Sequence, residues 1–533
     1  MIGQGGRRSG RPHATAVALL AALVVVSAFA VPAHALPHGP TGGYDEYGGW
    51  AGASLQATGN FRTAQIRGRW WLIDPSGHPF FSNGINHVVP EGSEDRNGHA
   101  AYHDAILTKY GSEEAWADAQ VERFGAWGIN TLGGWSDDEL FAGRGVPYTV
   151  MLGFAGYSGG RVADYWDQGW VRDVRTQAAA LAAQHRDDPW LVGYFLDNEV
   201  PWTDDWRKGP FVGFFGREAA EPGKQHLVTW LRQRYRQDFA AFAADFETSA
   251  SGWATLAAAT EAKPAGSGAQ ATKDAWSGEV ARRFFSVAGG ALATADPQHL
   301  DLGVRFVGQL ITPEILQAAA ANVDVISVNW YEIKDDWKSF IPSLGYDFLP
   351  TDDTLAAHRS LVDRPFLISE FGWRARDSGL PNTYPPLQAV IDTQQQRADN
   401  YRNFGGCLVN TGDVVGAHWF EMTDEPAIGR FDGEDDNWGM VDEADREYAP
   451  VVQAAADVHE AAYGPLTDPN RPPEPCTPIS DRAVPAPPSS TTPATSTSTG
   501  TAATTPPVPQ APIAEPDQAP PAQPVPGVVT YTG

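Results

Sequence analysis

From about residue 68 to 470 the chain alternates short apolar runs with longer stretches of helical spacing. Eight runs stand out: HPFFSNGINHV (78–88), GINTLGGW (128–135), VPYTVMLGF (146–154), WLVGYFLDNE (190–199), LDLGVRFVG (300–308), VDVISVNWYE (323–332), RPFLISEFGW (364–373) and VVGAHWFEMTDEP (414–426). Between them lie amphipathic patterns such as EEAWADAQVERFGAWG and VRDVRTQAAALAAQH. Apolar runs alternating with helices predict parallel strands joined by crossovers, because a parallel sheet is covered on both faces. Eight such units predict an α/β fold of the (β/α)8 barrel type. A doubly wound open sheet is the competing architecture, but no G-x-G-x-x-G or phosphate loop accompanies the runs. The connection from about 203 to 299 is far longer than a crossover needs, and pieces such as HLVTWLRQRYRQDFAAFAADF predict a helical elaboration after the fourth strand.

The ends of the chain have a different character. Arg7, Arg8 and Arg11 precede an apolar block from Ala14 to Val31, which is followed by Ala33-His34-Ala35. A basic start, an apolar block and a small-x-small site predict a signal peptide over residues 1–35, and hence a secreted protein. An uncleaved anchor is the alternative for a block of that length. Residues 36–67 form an N-terminal extension. Residues 471–533 are rich in Pro, Thr, Ser and Ala with few large apolar side chains. Such a segment cannot bury enough surface to offset its ordering entropy, which predicts a disordered tail, able to contact the cell envelope. The two cysteines, Cys407 and Cys476, either form one disulfide or stay as separate thiols.

Charge narrows the partners. The chain carries 65 acidic against 38 basic residues, a formal net charge of −27. Nucleic acids and anionic membranes are recognised by cationic surfaces, so a neutral ligand is expected instead. The 19 Trp, 16 Tyr and 24 Phe provide faces that stack on sugar rings as well as fill cores. No C-x-x-C or H-E-x-x-H occurs, and His99 and His103 are an isolated pair, so no metal and no cofactor are expected. The acidic cluster 432–437 (DGEDDN) lacks EF-hand spacing and reads as a hydrogen-bonded substrate loop rather than a calcium site.

In a barrel of this kind the chemistry sits at the C-terminal ends of the strands. The fourth run ends in Asn198 and Glu199, and the seventh carries Glu370 in LISEFGW. One strand-end carboxylate is an ordinary surface charge. Two that converge on one mouth have the makings of glycoside cleavage, in which one carboxyl protonates the leaving oxygen and the other attacks the anomeric carbon or activates water.

These residues resemble clan A glycoside hydrolases, which are retaining barrel enzymes. The resemblance implies Glu199 as acid/base and Glu370 as nucleophile. It also implies that Asn198 contacts a sugar hydroxyl, that Tyr331 hydrogen-bonds the nucleophile and that Trp419 stacks on sugar. Longer stretches resemble family 50, the β-agarases: GRWWLIDPSGHPFFSNGINHV (68–88), GINTLGGWSD (128–137), GYFLDNEVPW (193–202), DPQHLDLGVRF (296–306) and HWFEMTDEPAIGRFDGEDDNWGMVD (418–442). Many such agarases carry a large sugar-binding domain before the barrel. Here only residues 36–67 separate the signal from Gly68, so the expectation widens from agar to other galactose-containing polymers and oligosaccharides.

Further candidates lie near the same strand ends. Trp135, Trp373 and Trp419 offer indole faces, although any one of them alone is more often packing. His87 is a candidate donor to a sugar hydroxyl, and a structural histidine is the equal alternative. Arg305 is placed to hold Glu370 ionised. Period-two alternation pairs Tyr331 with Asn329, and Glu421 with Trp419, on common faces; Glu421 then binds a sugar hydroxyl or a basic neighbour. The expected function is a secreted, retaining, agarase-like hydrolase of β-linked galactans. An exo-β-galactosidase and a non-catalytic carbohydrate-binding protein are the alternatives. Oligomeric state is not legible.

Overall fold

A computed structural model describes residues 43–158, 161–203, 207–334 and 352–468. The expected signal peptide, the tail and Cys476 lie outside the described residues. Cys407 is disulfide-bonded. Among the described residues no helix is long and apolar enough to cross a membrane.

The centre is a curled parallel sheet with helices packed around it. In chain order its strands are β1 (Ser82–Ile85), β2 (Thr131–Leu132), β3 (Tyr148–Met151), β4 (Leu191–Phe195), β5 in two pieces (Leu300–Asp301 and Phe306–Val307), β6 (Ile326–Asn329), β7 (Phe366–Phe371) and β8 (Val414–Trp419). Every pairing between them is parallel, and the spatial order runs from the first piece of β5 through β4, β3, β2, β1, β8, β7 and β6 to the second piece of β5. The two edges of the sheet are therefore consecutive pieces of one segment. Residues between the pieces bond both ways: the Leu302 amide donates to Tyr194 O at 2.8 Å, the Leu196 amide to Gly303 O at 2.7 Å, and the Arg305 amide to Ser327 Oγ at 2.8 Å. This curled α/β sheet is consistent with a TIM-type barrel. All eight runs contain strands, each shorter than its run, and the functional candidates mostly lie just past the strand ends.

Local sequence explains the surrounding helices. Ser112 caps the helix Glu113–Trp127 by accepting from the Ala115 amide, and Gly128 ends it with φ 69°. Thr393 and Gln396 form a capping box on the helix Gln394–Thr411, which ends at Gly412 with φ 79°. After β4 the expected helical elaboration is present as Pro210–Phe215, Pro222–Arg234 and Phe239–Asp245. It also contains an antiparallel pair, Phe246–Thr248 with Ala262–Pro264, which periodicity did not reveal because each strand is three residues long. The 27-residue helix Ala269–Ala295 then packs against the helix Gln168–His185.

Candidate active site

Two carboxylates from distant parts of the chain join one hydrogen-bonded group at the C-terminal ends of the strands. Glu199 lies four residues past β4. Its Oε1 accepts from Asn329 Nδ2, at the end of β6, at 3.1 Å. Glu370 lies in β7, opposite Asn329 across a register shift in the β6–β7 ladder. Such irregularities re-aim side chains next to functional sites. Glu370 Oε1 is 2.8 Å from Arg305 Nη2, and its Oε2 accepts from the Tyr331 hydroxyl at 2.6 Å. Asn198 Oδ1 closes the circuit by accepting from Arg305 Nη1 and from Asn329 Nδ2, both at 3.2 Å. Asn86 Oδ1 and Ser369 O accept from Arg305 Nη2, and Ser369 Oγ donates to Asn329 Oδ1 at 2.8 Å. Each member of the group is therefore held by at least one other.

Backbone conformation marks the same residues. Nine described non-glycine residues have positive φ, and four of these are His87 (56°), Trp135 (59°) and Glu199 (45°), just past the ends of β1, β2 and β4, and Arg305 (48°), between the two pieces of β5. L-residues occupy this region at a cost, and such residues concentrate where function over-determines them.

The electrostatics follow from burial. Glu370 is enclosed, and burial pushes its carboxyl up to about 7. Arg305 and the Tyr331 hydroxyl oppose that rise, while the charges of Glu199 and Glu434 add to it. Burial and the Glu370 charge hold Tyr331 protonated, so it remains a donor. The Arg305 guanidinium, itself fully buried, lies 4.0 Å from the Trp135 ring centroid.

The sequence candidates divide into two groups. His87 and Glu421 bond each other, Nδ1 to Oε2 at 2.6 Å, and Trp135, Asn198, Glu199, Arg305, Tyr331 and Glu370 lie in or against this group. Trp419 and Trp373 do not. Trp419 is fully buried, stacked on Tyr401 and edge-on to Phe371, with its Nε1 donating to Trp438 O. The inward residue of β8 is its neighbour His418, which bonds Ser82 Oγ at 2.8 Å, so alternation sends Trp419 outward into the helix layer. β8 ends at Trp419, and the pairing of Glu421 with Trp419 on one face therefore fails. Trp373 is also buried, donating to Glu332 Oε2 at 2.7 Å and packing on Phe404.

Several residues of the site escaped sequence reasoning. Asn86 is buried beneath Arg305. Phe420 and Trp438 pack edge-on or tilted against Tyr331. Within the acidic loop, Glu434 is bridged by Arg430 at 2.8 Å to Glu425, which Arg430 reaches at 3.2 Å. Asp436 pairs with Arg374 at 2.7 Å, and Asp435 accepts from Thr383. The loop's acids are thus largely held by arginines. Glu434 was legible only as part of a charge run; its effect on Glu370 depends on the folded loop.

The chain is 30% identical to β-agarase A of Vibrio sp. (strain JT0107) over 465 residues, covering 74% of this chain and 45% of that protein. It is 27% identical to β-agarase B of the same strain, over 78% of this chain and 50% of that one. Among solved structures, PfGH50B superposes with a TM-score of 0.67 at 26% identity, over 81% of this chain and 70% of its own. The agarase AgWH50C gives 0.67 at 26%, over 80% and 68%. In sequence and in fold the chain is similar to the β-agarase-like glycoside hydrolases of family 50. No protein-family model matches it. The chain spans about half the length of the curated relatives it matches.

Proposed function

We propose that this chain is an exported, retaining glycoside hydrolase that cleaves β-linked galactose-containing polysaccharides or oligosaccharides. The observation that carries the reading is the single network joining Glu199 and Glu370 through Asn329, Asn198 and Arg305. We read the two-piece β5 as the seam that closes a (β/α)8 barrel around it. The reaction is a double displacement. Glu370 attacks the anomeric carbon, forming a glycosyl ester while the glycosidic C–O bond breaks and Glu199 protonates the departing oxygen. Water then attacks the same carbon, Glu199 takes its proton, and Glu370 leaves as carboxylate. Arg305 and Tyr331 orient Glu370, Asn198 meets a sugar hydroxyl, and Trp135 and Phe420 provide the aromatic wall. Two carboxylates in one network favour turnover over a binding-only role. Incubation with agar, porphyran, other galactans and short β-galactosides, read by reducing sugar and product length, tests the reading. Release of oligosaccharides from a galactan supports it. Binding without release refutes it, and release only of monosaccharide from short substrates replaces the agarase-like reading with the exo-β-galactosidase alternative.

The raised carboxyl of Glu370 gives a pH prediction. The nucleophile reacts only when ionised, so activity is lost as pH falls through its pKa. The acidic limb of kcat/KM is expected near pH 7, where an ordinary glutamate would place it near 4 to 5. Tyr331→Phe removes a donor to the carboxylate and is expected to move that limb to higher pH. A limb below pH 5.5 in the wild type, or one unmoved by the substitution, contradicts this account of Glu370.

A further inference from the structure

Asp45, Asp74 and His78 lie on the N-terminal side of β1, while the catalytic group lies beyond its C-terminal end. Each side chain offers one ligand atom, and the three atoms lie within 4.8 Å of one another. Asp45 spends Oδ1 on the turn that contains it, accepting from the Tyr47 amide at 3.0 Å and the Gly49 amide at 2.8 Å. Asp74 spends Oδ1 in the same way on the His78 amide, at 2.9 Å. Both second oxygens are thereby directed at His78 Nδ1: Asp45 Oδ2 lies 2.9 Å from it and Asp74 Oδ2 lies 3.9 Å. Asp74 is fully buried, and its Oδ2 has no hydrogen-bond donor. A buried, unpartnered carboxylate oxygen is costly. Two carboxylates thus converge on a single imidazole. The Gly49 turn presses on the cluster so closely that a Cβ there would fall 1.9 Å from Asp74 Oδ2.

We infer that Asp45, Asp74 and His78 form a divalent metal site of the zinc class, which fastens the Asp45–Gly49 turn of the N-terminal extension to the turn between Ile73 and Pro79. Tetrahedral zinc holds nitrogen and oxygen ligands at about 2.0–2.2 Å, which sets ligand-to-ligand spacings of about 3.4 Å. The two observed spacings, 2.9 and 3.9 Å, bracket that value. The open side, toward the partly exposed His78 and Asp45, admits water as a fourth ligand. Calcium fits poorly, since it takes six to eight oxygens and disfavours an imidazole. The Glu425, Glu434 and Asp436 cluster is the weaker alternative on this chain, because Arg430 and Arg374 already pair with its carboxylates and offset their charge.

The test is zinc chloride titration of the metal-free full chain, read by calorimetry, metal content and thermal midpoint. The wild type is expected to bind one zinc per chain and to melt higher as zinc increases. Asp74→Asn and His78→Gln should each lose that stoichiometric binding and the thermal shift. Far-UV circular dichroism and the metal-free thermal midpoint serve as the check that these variants are folded. If a variant fails to fold, zinc protection of His78 against imidazole acylation in the wild type replaces it, with protection expected at one equivalent. Absent stoichiometric binding, binding undiminished in folded variants, or no protection of His78 would overturn the site and leave a proton shared between Asp45 and Asp74.

Discussion

Glu370→Gly is expected to lower hydrolysis of galactan by roughly 10⁴-fold or more, the scale on which a covalent nucleophile is missed. The substitution leaves Arg305 and the Tyr331 hydroxyl facing an empty space that a carboxylate had filled at 2.8 and 2.6 Å. A small anion such as azide suits that space in size and charge. With an activated aryl β-galactoside, azide is therefore expected to restore turnover and to appear in the product as the α-galactosyl azide, having attacked from the nucleophile's side. The loss is measured with galactan and the rescue with the aryl substrate. Activity within tenfold of the wild type, or a β-galactosyl azide as product, would remove Glu370 from the role.

The second large effect belongs to Glu199. Glu199→Gln keeps the shape and the capacity to accept from Asn329 Nδ2, which donates to Oε1 at 3.1 Å, but cannot give up a proton. Galactan, whose leaving group is a sugar alcohol, is expected to lose about 10²–10⁴-fold, the contribution of a general acid. An aryl galactoside with an acidic phenol needs no proton to depart, so its bond-breaking step should be nearly unchanged. Its slow second step should be accelerated by azide, this time giving the β-galactosyl azide. Equal losses on both substrates would mean that Glu199 acts by holding the network rather than by moving protons. The two azide products together separate the two carboxylates, because each variant opens a different face of the sugar.

The sequence carried the strand count and the residues at the ends of β4 and β7 because both signals are local. Asn198 and Glu199 follow a fully buried strand, and Glu370 lies within another. Where the reading failed, the missing information was register. Trp419 was placed at the mouth by its position at the end of β8, but its neighbour His418 takes the inward direction and sends the indole into the helix layer. Extending the alternation past that strand end then misplaced Glu421 relative to Trp419. Trp373 failed in a similar way, two residues past β7 and turned onto Phe404.

Residues that depend on loop geometry were harder still. Glu434 was one acid among several, and only the folded loop brings its charge to bear on Glu370. Asn86 had no chemistry to single it out until Arg305 crossed the sheet interior to meet it at 2.9 Å. Asp45, Asp74 and His78 match no metal motif, because two turns rather than one helix or loop supply them. Arg305 was legible as a cation near the mouth. Its contacts with Glu370, Asn198, Asn86 and Trp135 require the break between the two pieces of β5.

Incubation with a 2-deoxy-2-fluoro-β-galactosyl donor bearing a good leaving group, followed by peptide mass mapping, tests the pairing of these carboxylates most directly. The electron-withdrawing fluorine slows hydrolysis of the ester, so the covalent intermediate accumulates. A single fluorogalactosyl label on Glu370 is expected, forming with time-dependent loss of activity. An enzyme that turns over galactan but is never labelled, or is labelled on another residue, would contradict the account.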